Sequence, residues 1–548
     1  MTPSTTATRR RAPLAVLLAL VVAAALAVAG CGGDSSTGAG ADTVATYIPA
    51  GSPMYFEVST DIDGPQWTEI QALGKQFPAY PQLESSLQDA LQSDEVDFET
   101  EVRPLLGDRA AVAATSFGDA ARVTSDEGAA AAADSASQQM LGVVDIAEGK
   151  RADTEALLTK SGSVTSEDYE GAAIFTNADD DTVIAVTDEV MLVADTRDQI
   201  VAALDAHRAG GDRTLAGTEK FTDTLGKLPS DVLGQMYVDV GAIVQESGAA
   251  VPQLNQFGLT DIQNGVVGAS LIAEPDGLRV KGVASGMSAT EGLTAFSPTL
   301  AANAPANALA YFEVANVSGV IQSQLETFSA QADPEMSKQI NDFAQMIPQF
   351  LGVTVDQLAA LGAGQQAFVA VPAPGQEIPG LAVVLKVDDG AEAQRTLDAI
   401  RGATPQLMQM LGGSQGAATA PAWAAVTLPG GTEGWQLKVD DEFGVVYAVD
   451  GDLAVIASTP EAASEVLSPA SPLADSAEFT EGTTGMPDSV TSVGWFNAVQ
   501  IVTTLESAGV FRDAPPEALA NLRPVRSMAH WDTGGDEPTF EVFIRIAG

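Results

Sequence analysis

Short runs in which hydrophobic and polar residues alternate fill most of this chain, and stretches with helical spacing separate them. Residues 55–59 read as a strand that puts Tyr55 and Glu57 on one face and Phe56 on the other. Residues 67–92 carry a helical pattern broken near Pro78 and Pro81, because proline lacks an N–H and crowds the preceding turn. Apolar runs of strand length follow at 110–115 and 141–146. Residues 151–160 predict a helix with Ala156, Leu157 and Leu158 facing inward. Residues 171–176 and 182–187 flank an acidic turn at 177–181 and predict a hairpin. A strand at 190–194 comes next, then a helix at 197–207 capped near Asp195 or Thr196. The series closes with a strand at 235–240, a helix from Val240 to about Gly248, and a hairpin. That hairpin joins 266–273 to 278–284 around Pro275, Asp276 and Gly277, a strong turn signal.

The same series then starts again. Pro49, Tyr55, Phe56, Glu57 and Val58 return 256 positions on as Pro305, Tyr311, Phe312, Glu313 and Val314. Residues 141–144 return as 381–384 and 191–196 as 454–459, while Tyr237, Val238 and Asp239 return as Trp495, Phe496 and Asn497. The spacing between copies changes across 118–138 and again across 402–425, two stretches of loop-like composition where insertions are tolerated. The expectation is two homologous tandem modules, 42–290 and 291–548. Hairpins outnumber crossovers, so each module is expected to be α+β, a mostly antiparallel sheet, flat or curved, with helices packed on one face.

Ahead of the first module the pattern is of another kind. Arg9, Arg10 and Arg11 precede an unbroken run of Leu, Ala and Val at 14–29, which ends in Val28-Ala29-Gly30-Cys31. This resembles the lipobox of bacterial lipoproteins. The resemblance implies a signal peptide at 1–30, cleavage between Gly30 and Cys31, and diacylglycerol on the Cys31 thiol. A plain signal peptide or signal anchor with an incidental cysteine is the alternative. The arginines lack the apolar residue that twin-arginine export needs behind the pair, so the general secretory route is expected. Residues 31–41 form a Gly/Ser/Thr/Ala tether that spans about 20 Å as a flexible coil. The body is therefore expected outside the cytoplasm, leashed to a membrane through Cys31.

Composition narrows what that body does. Cys31 is the sole cysteine, so no disulfide within the chain is available to staple it. The formal charge is −47 and grows more negative once the signal arginines leave. Such a surface repels phosphate backbones, which excludes nucleic acid as a partner. The chain is too long for a single core.

Candidate chemistry is sparse. The two histidines, His207 and His530, are not paired at any ligand spacing, so no metal and no cofactor are expected and no catalytic residue is assigned. His207, near a helix end, reads as a surface or capping residue. Residues 412–416 fit a serine-hydrolase elbow only as a string, since a helical run and not a strand precedes them. Gly362, Ala363 and Gly364 come before a strand, whereas a dinucleotide fingerprint follows one. Asp179, Asp180 and Asp181, answered by Asp440, Asp441 and Glu442, read as solvated hairpin turns. Glu57 and Glu313 are the most interesting carboxylates: either partly exposed strand acids, or a buried and partnered pair at matching places.

The repeated Pro-Ala-x-x-x-x-Tyr-Phe-Glu-Val stretch, the step Pro104 to Arg109 and the lipobox resemble exported bacterial proteins grouped as domain of unknown function three-three-five-two. In the second copy Gly362-Ala363-Gly364 departs from the Gly107-Asp108-Arg109 step. The family implies no activity. The expected function is a membrane-tethered, non-catalytic binding or assembly module of the cell envelope, with an envelope protein as partner. Alternatives are a carrier of a lipid or other apolar ligand, in which residues 407–411 form an adaptable lid, and an enzyme using only carboxylate, serine and arginine chemistry.

Overall fold

The computed structural model describes residues 43–91, 96–116, 140–160, 164–177, 182–247, 262–286, 293–323, 348, 350–373, 378–411, 422–438, 444–512, 514–535 and 537–546. Gly30, Cys31, the tether, Asp179 to Asp181, residues 412–416 and Asp440 to Glu442 lie outside them. The chain is α+β and divides into two compact units, Met1–Ser288 and Ala289–Ala547.

The first unit is built on ten strands. They are β1 (Met54–Ser59), β2 (Leu106–Ala114), β3 (Met140–Ile146), β4 (Val164–Tyr169), β5 (Ala172–Asn177), β6 (Val183–Val186), β7 (Val190–Ala194), β8 (Gly234–Asp239), β9 (Val266–Glu274) and β10 (Gly277–Ser285). Within this unit they lie in the order β4-β5-β6-β7-β3-β2-β1-β8-β9-β10, and every pairing is antiparallel. The second unit has β11 (Ala310–Ala315), β12 (Gln365–Val371), β13 (Gly380–Lys386), β14 (Trp423–Thr427), β15 (Glu433–Lys438), β16 (Gly444–Asp450), β17 (Leu453–Ala457), β18 (Ser492–Asn497), β19 (Val525–Asp532) and β20 (Thr539–Ile546). Its order is β14-β15-β16-β17-β13-β12-β11-β18-β19-β20, again antiparallel throughout and open within the unit.

In each unit helices pack on both faces of the sheet, in the second unit over only part of one face, which corrects the expectation of one covered face. The cause is visible in β6 and β7, whose every residue is buried and apolar; such strands need cover on two sides. On one face, helices Arg197–Ala209 and Glu219–Leu225 and the 3-10 turn Val44–Tyr47 share a core with Tyr55, Leu141, Leu192 and Tyr237. On the other, helix Arg151–Thr159 and the turn Phe98–Val102 pack on Val58, Val144, Ile146 and Met191. In the second unit, helices Pro460–Leu467 and Ala477–Gly482 join Tyr311, Val369, Val384 and Trp495. The long helix Gly390–Leu411 buries Ala393 and Leu397 against Leu385, Tyr447 and Ala454 on the opposite side. Each fully buried Leu of these layers contributes about 2 kcal/mol.

Local differences from the sequence reading have physical reasons. Strand β4 is polar along its length, with Ser166, Glu167 and Asp168 exposed, as suits a sheet edge, and so lacks the apolar signal of a strand. It turns into β5 through Glu170 (φ 50°) and Gly171 (φ 94°), the positive dihedrals a tight hairpin requires. In helix Arg151–Thr159, Thr154 joins Leu157 and Leu158 in the core, while Ala156 is exposed. The break near Pro78 is real: helices Pro65–Gly74 and Tyr80–Leu91 stand where one interrupted pattern was read. Thr196 closes a capping box with Gln199 at the start of helix Arg197–Ala209.

Candidate functional site

Glu57 and Glu313 are both fully buried, at 0% exposure, which corrects the reading of partly exposed strand acids in favour of its alternative. Strand alternation puts each acid on the inner face with the tyrosine two residues before it. Tyr55 donates its hydroxyl to Glu57 Oε2, and Tyr311 donates to Glu313 Oε2. The rest of each environment differs. In the first unit β2 runs beside β1 with Ala111 opposite Glu57, and Arg109 extends its guanidinium to Glu57 Oε1. Arg109 Nη2 also donates to the Ser230 carbonyl at 3.3 Å.

In the second unit Ala367 stands opposite Glu313, so Gln365 occupies the register position that Arg109 holds in the first. Gln365 turns instead to the loop before β11, where it accepts from the Thr299 hydroxyl and donates to the Ser297 carbonyl at 2.9 Å. Glu313 Oε1 accepts from the backbone N–H groups of Thr299 at 3.2 Å and Leu300 at 3.3 Å, which open the 3-10 turn Leu300–Ala302. Burial raises the Glu313 carboxyl above the ordinary carboxylate range, opposed by the Tyr311 hydroxyl, by those two N–H groups and by the charge of Lys386. Burial likewise pushes the Tyr311 hydroxyl upward, with the neighbouring Glu313 adding to the effect. These contacts tie the loop before β11 to the sheet. A small apolar cavity of about 20 Å³ lies near Val102, Leu105, Ile146 and Met191, and neither acid lines it.

The histidines are placed by aromatic packing. The His207 ring stacks on Tyr47 at 3.7 Å and 6°, and its Nδ1 lies 3.1 Å from Thr46 Oγ1. Tyr47 in turn donates to Glu189, and burial pushes its own hydroxyl up to about 12. His530 stacks over Phe312 at 5.8 Å and crosses the neighbouring strand at Gly494. A Cβ on Gly494 would meet His530 Cε1 at 2.0 Å, so the ring needs a glycine there. Among the described residues no group of three or more His, Cys, Asp and Glu side chains could hold a metal ion. Among them, too, no helix is long and apolar enough to cross a membrane.

On the face opposite Tyr311 and Glu313, helix Gly390–Leu411 packs on Leu385, Tyr447 and Ala454, whereas among the described residues the half that carries Phe312 and Phe368 is only partly covered. Register sets Phe496, Ala310, Ala370 and Leu381 in one row and Gly494, Phe312, Phe368 and Val383 in the next. Phe312 is 36% exposed, Phe496 39%, Phe368 44% and Leu381 52%, and Phe312 lies 6.3 Å from Phe368. In the first unit the corresponding row, Val238, Met54, Ala114 and Met140, is less open: Met54 and Met140 are each 37% exposed, Ala114 is buried, and Phe56 in the next row is half-buried. The signal available in the sequence was the presence of large apolar residues on both faces of β11, β12 and β18.

The chain belongs to the family described as protein of unknown function (DUF3352), whose sequence model matches residues 12–538. No curated protein matches it. Two solved structures of TP0453 show faint similarity. Crystal form III is 8% identical, covers 46% of this chain and 82% of its own, and has a TM-score of 0.23. Crystal form I is 7% identical, covers 79% and 97%, and has a TM-score of 0.18.

Proposed function

We propose that this protein is a non-catalytic binding module of the cell envelope, tethered outside the cytoplasm by lipid on Cys31 and made of two homologous copies of one fold. The observation that carries the binding role is the set of exposed apolar side chains on the sheet of the second unit, Phe312, Phe368, Leu381 and Phe496. The duplication is supported by the common strand order, by the repeated Tyr-Phe-Glu-Val strand and by its matching tyrosine–glutamate contact. An exposed patch of large apolar side chains is costly for a soluble surface and marks a contact site. Nile red, a neutral apolar dye, tests this on the full-length protein. Binding is expected in the wild type and at least tenfold weaker in a Phe312→Asp/Phe368→Asp variant whose core amides stay protected. Unchanged dye binding in that variant, or steady turnover of an envelope substrate abolished by a point substitution, defeats the reading.

A further inference from the structure

We draw no further inference here: the strongest candidate, the partly exposed apolar patch of Phe312, Phe368, Leu381 and Phe496 on the sheet of the second unit, belongs to the site already described, and nothing in the structure shows what covers it.

Discussion

The two units bury the same carboxylate in the same strand position and satisfy it in different ways. Glu57 meets a cation, Arg109, supplied by the neighbouring strand. Glu313 has a glutamine at that register and leans on a tyrosine hydroxyl and on two backbone N–H groups from a turn. A full charge partner holds an acid ionised and loses heavily when the acid is removed. Dipoles stabilise it less, so in the second unit the proton itself becomes part of the balance. The difference teaches that a tyrosine–glutamate strand pair sets where the acid lies, while the residue two positions before the opposite alanine decides how it is neutralised.

Four experiments break or sharpen this contrast, best followed by hydrogen exchange because a chain of two compact units has no single unfolding free energy. Glu57→Leu has the largest expected effect, about 3 kcal/mol, since it strips the carboxylate from the largely buried Arg109 guanidinium. Lost protection of β1 and β2 amides reports it; protection within error of wild type would refute the ion pair as a support. Arg109→Gln should cost about 2 kcal/mol by leaving the buried Glu57 carboxyl without its cation, and lost protection of the β1 amides reports it.

Glu313→Gln should change stability by less than about 1 kcal/mol near neutral pH, in the stabilising direction. The sign follows from linkage. The folded carboxyl binds its proton more tightly than the unfolded one, whose ordinary value is 4.5, so this group favours folding at low pH. That contribution declines as pH rises from 4.5 toward the raised folded value, and above it the unfavourable burial of the charge is complete. Glutamine carries no such titration, so exchange protection of Thr299 and Leu300 should lose its slope across this window. Gln365→Arg is expected to have the smallest effect, about 0.5 kcal/mol. It should supply the missing cation, lower the Glu313 carboxyl and flatten the same slope; an unchanged slope would show that register alone does not set the acid's state.

Much of the sheet was readable in the sequence because alternation and turn residues are local. Residues 190–194 and the hairpin around Asp276 appear as read, at β7 and at β9–β10. Strand β4 was not readable, since a polar edge strand looks like a loop until its partner is known. The tyrosine–glutamate geometry was half legible: alternation put Tyr55 and Glu57 on one face, but nothing local said which face a helix would cover. Arg109 lies 52 positions from Glu57, and only strand pairing joins them. The exposed phenylalanines posed the reverse problem. Phe312 and Phe368 look like core residues by composition, and only the placement of the covering helix leaves them open.

Sequence alone therefore determined the α+β class, the antiparallel habit, the positions of most strands and the poverty of ligand-forming side chains, because each follows from neighbours a few residues apart. Tertiary structure decided which faces are covered, which acids meet a cation and which apolar rows remain open. These depend on contacts between segments far apart in the chain, where burial turns an ordinary glutamate into a group whose partner matters and the placement of one helix leaves Phe312 and Phe368 partly exposed.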